Sequence, residues 1–184
     1  MNVKKIVVGA YQENCYILEK NNEIIIVDPG DESNKILKLI ENKKLLGILI
    51  THAHFDHIGA LDDILKKYNV PVYYNNVNNE IKCDKLINIK EKKYEVSKFK
   101  FEVIYTKGHR NDAVTFYFYD DNIMFTGDFL FYLSVGRCDL EYADYNEMNK
   151  SLEKIKKYDD KIIIYPGHSS ETTLGFEKKY NSYL

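Results

Sequence analysis

Residues 51–59 of the chain read THAHFDHIG and hold three of its five histidines. His52 and His54 are two residues apart, so in an extended segment their side chains point to the same side. Asp56 and His57 are adjacent, and a straight strand would direct them to opposite sides, but a loop that curls into a helix can turn both toward one cavity. This pattern fits two neighbouring metal positions, or one metal ion with a carboxylate base. The simpler alternative is an exposed histidine-rich loop.

The other two histidines each follow a glycine, His109 in the segment TKGH and His168 in the segment YPGH. All five histidines can therefore be placed at metal-ligand positions. A hydrolytic metal site needs neutral imidazoles and carboxylates that face one cavity, and this distribution of histidines suits such a site.

Composition favours one folded domain over residues 1–184, with 45% hydrophobic residues in a chain of ordinary domain length. The net charge of −2 gives no reason to expect binding to nucleic acid or to a membrane surface. Three irregularly spaced cysteines make neither a disulfide framework nor a paired-cysteine metal site. No apolar segment is long enough for a secretory signal or a membrane span. We therefore expect a cytoplasmic protein.

The sequence pattern predicts alternating strands and helices. Runs rich in β-branched and aromatic residues predict strands at 3–8, 15–18, 23–27, 46–50, 71–74, 99–105, 114–119, 123–126 and 162–165. Helical spacing of apolar residues predicts helices at 34–43, 60–68, 145–158 and 173–180, the first of them capped by Ser33. The pattern is that of an α/β protein, with two sheets because the strands are too many for one simple doubly wound sheet.

Taken together, the segments resemble the motifs of metallo-β-lactamase-fold hydrolases. The run HAHFDH resembles the family's HxHxDH motif. Three later segments, TKGH, FTGDFLF and YPGH, are similar in order and spacing to the family's TPGH, FTGDxLF and PGH segments. GRCDL at residues 136–140 resembles a segment of the compact glyoxalase II-like (hydroxyacylglutathione hydrolase-like) members. The resemblance extends from about residue 14 to the end of the chain.

This resemblance implies an αββα sandwich, in which two mixed β-sheets are flanked by helices and the ligands lie on loops at one edge. It implies a first divalent metal ion held by His52, His54 and His109. It implies a second ion held by Asp56, His57 and His168, with Asp128 bridging both. Zn²⁺ is the expected ion, and iron or manganese are alternatives because sites of this kind select metals partly by availability.

The activity that the resemblance implies is hydrolysis of a small thioester, such as an acyl-glutathione, by a hydroxide that bridges the two ions. Asp56 and Asp128 would be the catalytic carboxylates, with Asp56 orienting the hydroxide. One alternative is a persulfide dioxygenase, which would use a single iron on His52, His109 and Asp128. Hydrolysis of a β-lactam or a lactone on the same metal site is another alternative.

The sequence departs from the family pattern around His109. Lys107 replaces a proline, while Arg110 and Asp112 replace a threonine and a glycine. Lys107 and Arg110 could attract an anionic group of the substrate, and the plainer expectation is that both face solvent.

Three further residues near these motifs have expected roles. Asp28, in a VDPG segment, is expected to form a turn or to orient a ligand histidine. Cys15 is expected to be a small core residue. Arg137 is expected to pair with Asp139 or with a backbone carbonyl rather than with substrate.

Overall fold

Each of the two units into which the chain divides, residues 1–89 and residues 90–184, is built on one mixed six-stranded sheet. The structure is a computed structural model, and it describes all residues, 1–184. The expected α/β fold with two mixed sheets and helices is confirmed. None of the five helices has both the length and the apolar content that a membrane crossing requires. The expectation of a single domain stays a prediction.

The first unit contains six strands and three helices. The strands are β1 Asn2–Val8, β2 Glu13–Lys20, β3 Glu23–Val27, β4 Lys44–Leu49, β5 Val72–Tyr74 and β6 Leu86–Asn88. The helices are α1 Ser33–Ile40, α2 Phe55–Ile58 and α3 Leu61–Lys67. The sheet follows chain order, with β1, β2 and β3 antiparallel and β3 to β6 parallel. Ile24, Ile25 and Ile26 in β3 are all fully buried, as expected for a strand covered on both faces.

Helix α1 begins differently from the sequence prediction. Ser33 is not its cap, because Glu32 precedes the helix in a left-handed conformation, φ 50°, without a capping hydrogen bond from its side chain. The Ser33 hydroxyl instead donates to Asp63 Oδ2 at 3.0 Å. Helix α1 is therefore fixed through Ile36 and Ile40, which are buried in the core of the first unit.

The second unit contains eight strands and two helices. The strands are β7 Lys93–Val96, β8 Phe99–Tyr105, β9 Val114–Phe118, β10 Ile123–Gly127, β11 Leu130–Phe131, β12 Ser134–Val135, β13 Ile163–Pro166 and β14 Thr172–Thr173. The helices are α4 Tyr145–Ile155 and α5 Leu174–Tyr180. The six-stranded sheet has the order β14-β13-β10-β9-β8-β7, and β11 and β12 form a separate hairpin. Helix α4 buries Met148, Leu152 and Ile155, the apolar positions that its spacing predicted.

Strand directions place the motif residues of each unit at one edge of that unit's sheet. In the first unit β3 and β4 are parallel, so the segments after Val27 and Leu49 leave the same edge. In the second unit β8 and β10 both run antiparallel to β9, and β13 is parallel to β10. The carboxyl ends of β8, β10 and β13 therefore lie at one edge. His109, Asp128 and His168 follow these three strand ends.

Candidate metal centre

His52 and His54 lie side by side after strand β4, as their spacing predicted. Nε2 of His52 is 3.0 Å from Nδ1 of His54, and the ring planes are inclined by 77°. Two ring nitrogens at this distance share a hydrogen bond when one of them carries a proton. When neither does, they are two adjacent donors for a cation.

Asp56 and His57 are brought together by helix α2, a single turn that begins at Phe55. Their ligand atoms lie within 4.8 Å of each other. The His57 ring is fully buried, and its centroid is 4.1 Å from that of His52. The sequence predicted a turn that gathers these side chains, and in the structure this turn begins earlier than expected, at Phe55 rather than after Ile58.

Asp28 fixes both His52 and His57 through a network of hydrogen bonds. Its Oδ2 lies 3.0 Å from His57 Nδ1 and accepts from the Thr51 hydroxyl at 2.6 Å. Its Oδ1 accepts from the Thr51 backbone N–H at 2.7 Å. The Thr51 oxygen lies 3.1 Å from His52 Nδ1. The expectation that Asp28 orients a histidine is confirmed.

This network determines which nitrogen of each ring carries the proton. Asp28 accepts at Oδ2, so His57 donates from Nδ1 and its Nε2 keeps a lone pair. The Thr51 hydroxyl proton points to Asp28, so the Thr51 oxygen accepts from His52 Nδ1, and His52 also keeps a lone pair on Nε2. Neutral imidazoles with Nε2 available are the form that binds a metal ion.

Glu13, at the start of β2, is a buried carboxylate that the sequence reasoning missed. It is 1% exposed, and its Oε1 lies 3.9 Å from Nδ1 of His57. Two carboxylates, Glu13 and Asp28, thus lie on the same side of this ring, and their negative charge favours a cation nearby. No motif marks Glu13 in the sequence, because a glutamate at a strand start is usually exposed.

In the second unit, Asp128 presents one carboxylate oxygen to each of two histidines. Its Oδ2 is 3.5 Å from His109 Nε2, and its Oδ1 is 3.6 Å from His168 Nε2. These distances exceed those of direct hydrogen bonds. The arrangement is that of a carboxylate able to bridge two cations, one next to each ring.

The backbone around His109 holds its ring in this orientation. His109 Nδ1 lies 2.9 Å from the carbonyl oxygen of Arg137, so Nδ1 donates and Nε2 faces Asp128. Gly108 has φ 146°, and a side chain there would collide with Met148. A Cβ at Gly136 would overlap the carbonyl oxygen of Asp128 and come within 3.0 Å of the His109 Cβ. Only glycine allows residues 136 and 137 to approach both ligands this closely.

The departure from the family pattern around His109 forms a buried ion pair. Arg110 and Asp112 are 5% and 0% exposed, and Arg110 Nε donates to Asp112 Oδ1 at 2.9 Å. The guanidinium also lies over the ring of Tyr142, at 5.4 Å. The expectation that Arg110 faces solvent is wrong, since its charge is neutralised by the neighbouring carboxylate and its stem is covered. The pairing of Arg137 with Asp139 is confirmed by two bonds of 2.6 and 2.7 Å at the surface.

The cysteines are not candidates for the reacting group. Burial raises the pKa of the thiols of Cys15, Cys83 and Cys138. For Cys15, which is fully buried as expected, the charges of Glu13 and Asp28 raise the pKa further. Near neutral pH all three remain protonated, the poorly nucleophilic form of cysteine.

Imidazole and carboxylate donors of this kind suit Zn²⁺, Fe or Mn. In the first unit the hydrogen-bond partners of His52 and His57 lie at Nδ1 and favour an unprotonated Nε2, and in the second unit a carboxylate lies between two imidazoles. The donor chemistry therefore fits divalent metal ions. The assignment of the seven ligands to two metal positions stays a prediction.

Known proteins share the same sequence pattern. The chain is 31% identical over 206 residues to the probable metallo-hydrolase YqgX of Bacillus subtilis (strain 168), covering 100% of this chain and 98% of that protein. It is also 31% identical over 210 residues to the hydroxyacylglutathione hydrolase GloC of Haemophilus influenzae, with the same two coverages.

Solved structures share the fold. The BLEG-1 B3 metallo-β-lactamase superposes with a TM-score of 0.91 at 31% identity, covering 99% of each chain. TTHA1623 in a di-iron-bound form gives a TM-score of 0.87 at 32% identity, covering 99% of this chain and 100% of that one. The chain matches the family described as the metallo-beta-lactamase superfamily over residues 8–168. With that match and the full-length relatives, the chain belongs to the metallo-β-lactamase superfamily.

Proposed function

We propose that this protein is a glyoxalase II-like hydrolase that uses two divalent metal ions to cleave a small thioester. The observation that supports the hydrolase part most directly is Asp128, with one oxygen directed at His109 and the other at His168. The thioester part is supported by the full-length similarity to a hydroxyacylglutathione hydrolase. The proposed partner is therefore a small-molecule acyl thioester.

His52, His54 and His109 would hold one ion, and Asp56, His57 and His168 the other, with Asp128 shared between them. Bound ions of this type acidify water so that hydroxide is available near neutral pH, and they stabilise negative charge on a carbonyl oxygen. Zn²⁺ remains the proposed ion, although the di-iron form of TTHA1623 gives iron specific support as an alternative.

The protein's own residues contribute orientation and charge. Asp28 holds His57 directly and His52 through Thr51, so both rings stay in the tautomer that leaves Nε2 unprotonated. The Arg137 carbonyl does the same for His109. Asp56, in the helical turn of α2, is the carboxylate available to orient a water molecule and to receive its proton. A thiolate leaves readily because thiols are acidic, so thioester cleavage needs no cysteine nucleophile and little proton donation.

Two other reactions fit the same ligands. A persulfide dioxygenase would need only His52, His109 and Asp128 around one iron, which leaves the other four candidate ligands without a purpose, namely His54, Asp56, His57 and His168. The hydrogen bond by which Asp28 orients His57 argues against the dioxygenase, because a single iron on the other three residues would not use His57. β-Lactam or lactone hydrolysis has the support of the similarity to BLEG-1, named a B3 metallo-β-lactamase.

The deciding experiment combines elemental analysis of the purified protein with activity assays. We expect two metal ions per chain, and faster turnover of acyl-glutathione thioesters than of β-lactams, lactones or a persulfide. Asp56→Asn should abolish thioester turnover while the exposed-site control Asp139→Asn retains it. Oxygen consumption with a persulfide and one iron per chain would replace the proposal with the dioxygenase. Preferential turnover of a β-lactam or lactone would overturn the thioester assignment alone.

A further inference from the structure

Helix α5 contains a carboxylate that is completely buried and that none of the steps above uses. Glu177 is 0% exposed, although it stands in the polar segment FEKKYN near the end of the chain. An ionised carboxylate is costly to bury unless donors surround it. Glu177 has three such donors, which come from three different segments of the second unit.

The first two donors belong to the turn of the β11–β12 hairpin and to the residue that follows α5. The Leu133 backbone N–H donates to Glu177 Oε2 at 2.9 Å. Asn181 Nδ2 donates to the same oxygen at 2.8 Å and also to the Ser134 carbonyl at 3.1 Å. Leu133 has φ 57°, a conformation that is unfavourable for leucine and needs support from its surroundings. Glu177 and Asn181 thus fix the tip of this hairpin.

The hairpin in turn supports two candidate ligands. It begins two residues after Asp128, and it is followed by Gly136, where a Cβ would overlap the Asp128 carbonyl oxygen and crowd the His109 side chain. The next residue, Arg137, supplies the carbonyl that orients His109. A displacement of the hairpin would therefore move Asp128 and release His109 together.

The third donor connects Glu177 with the segment after His168. The Thr172 hydroxyl donates to Glu177 Oε1 at 2.7 Å, and Thr172 begins strand β14 only four residues after His168. One carboxylate is therefore joined to the supports of all three candidate ligands of the second unit.

We propose that Glu177 is a positioning residue of the metal centre, which sets metal affinity through the hairpin at Leu133 and through Thr172. It contacts no ligand itself. The inference rests on the proposed metal centre, but it concerns affinity for the ion rather than the substrate.

The test is a competition titration of zinc against a chromophoric chelator. Glu177→Met keeps the length of the side chain but removes both acceptor oxygens, so all three hydrogen bonds are lost. We expect at least one zinc ion to bind about tenfold more weakly or worse, as is typical when a group that holds a ligand is altered. Glu153→Met is the matched control, because Glu153 lies exposed on α4 and bonds only Lys156. The control should bind zinc like the unaltered protein.

A purely structural role gives a different result. In that case Glu177→Met lowers the melting temperature but, well below that temperature, binds zinc with unchanged affinity, and the proposal is overturned. Thr172→Val is the second variant, since it removes one donor and leaves the carboxylate and two donors in place. It should weaken the binding of one of the two zinc ions more than the binding of the other. If the binding of both ions changes equally, Glu177 does not act through the segment after His168. If the unaltered protein binds no metal, the proposed function itself fails. That outcome differs from weaker zinc binding in the variants alone, which concerns only the role of Glu177.

Discussion

At the scale of single residues, Asp128 has the largest predicted effect on metal content. Asp128→Ala removes both carboxylate oxygens, one facing His109 and one facing His168, and we expect loss of at least one metal ion. Asp128→Asn keeps one oxygen and should retain more metal than the alanine variant. Elemental analysis after gel filtration measures the ratio, with Asp139→Ala as control. Two ions per chain in Asp128→Ala would contradict the bridging role.

Asp28 is not one of the proposed metal ligands, but it orients two of them, His52 and His57. It has φ 48°, a conformation that asparagine tolerates, so Asp28→Asn tests the carboxylate without straining the backbone. Asparagine is uncharged and has only one acceptor oxygen, so the variant cannot accept from His57 and from both Thr51 donors. We therefore expect zinc affinity to fall about 10- to 100-fold. Chelator competition measures this change. An unchanged affinity would mean that His57 and His52 hold their tautomers without Asp28.

Two arginine–aspartate pairs of identical spacing allow a matched comparison of burial. Arg110–Asp112 is buried, with side chains 6% and 0% exposed, whereas Arg137–Asp139 is exposed at 64% and 66%. Arg110→Ala leaves a buried carboxylate without its cation and should cost about 3–5 kcal/mol of unfolding free energy. Arg137→Ala should change the unfolding free energy far less, because solvent screens this exposed pair. Urea denaturation measures the loss of unfolding free energy in each variant. Equal losses would contradict the conclusion that the buried pair contributes more to stability than the exposed one.

At the scale of elements, α4 is attached to β8 through Glu91. Lys154 Nζ and the Tyr105 backbone N–H both donate to Glu91 Oε1, at 2.8 and 3.0 Å. Burial raises the pKa of Glu91, but these bonds and the charge of Lys154 outweigh it and hold the pKa below its ordinary value of 4.5. A carboxyl pKa that is lower in the folded state stabilises the fold above the unfolded value, and this contribution is lost as the pH falls through the folded pKa.

Glu91→Gln should therefore destabilise the metal-free protein near neutral pH and have no such effect in acid. The difference in unfolding free energy from the unaltered protein should shrink as the pH falls below 4.5. Urea denaturation at a series of pH values measures it. Glu95→Gln, on the edge strand β7, is the control, and a difference that stays constant with pH would contradict the role given to Glu91.

The elements that the sequence predicted are those with a strong apolar signal. Strands β3 and β8 were found at their observed bounds because apolar residues are nearly continuous in β3 and alternate with polar ones over the first part of β8. Strand β7 was missed because its residues are only half-buried or exposed, and β11, β12 and β14 because two residues carry no periodicity. The helix predicted at 145–158 ends at Ile155, where the buried face also ends.

At the scale of the whole molecule, metal binding should stabilise the folded chain. An ion that binds only the folded state adds about 2.7 kcal/mol at a free concentration of 100 times its dissociation constant. Added Zn²⁺ should therefore raise the melting temperature, and a chelator should reverse the rise. Circular dichroism at 222 nm follows unfolding by the loss of helix. The rise should be smaller in Asp128→Ala, and equal rises in both proteins would place the bound zinc elsewhere.

The candidate ligand residues stand out in the sequence because they are chemically unusual, whereas, apart from Asp28, the groups that orient them do not. Histidines next to glycines and an HxHxDH pattern stand out in any chain. The groups that orient them are ordinary, such as the backbone carbonyl of Arg137 or the carboxylates of Glu13 and Glu177. Their role depends on which segments the sheets bring together, which no local pattern encodes.

Strand direction also has a use in handling the protein. Because Asp128 leaves the carboxyl end of β10, the turn at residues 119–122 that joins β9 to β10 lies at the opposite edge of that sheet. A fluorophore or an affinity tag inserted between Asp120 and Asp121 would be separated from Asp128 by the length of β10, roughly 16 Å for five residues. Tethering the protein to a sensor chip through this turn should therefore leave its chemistry undisturbed.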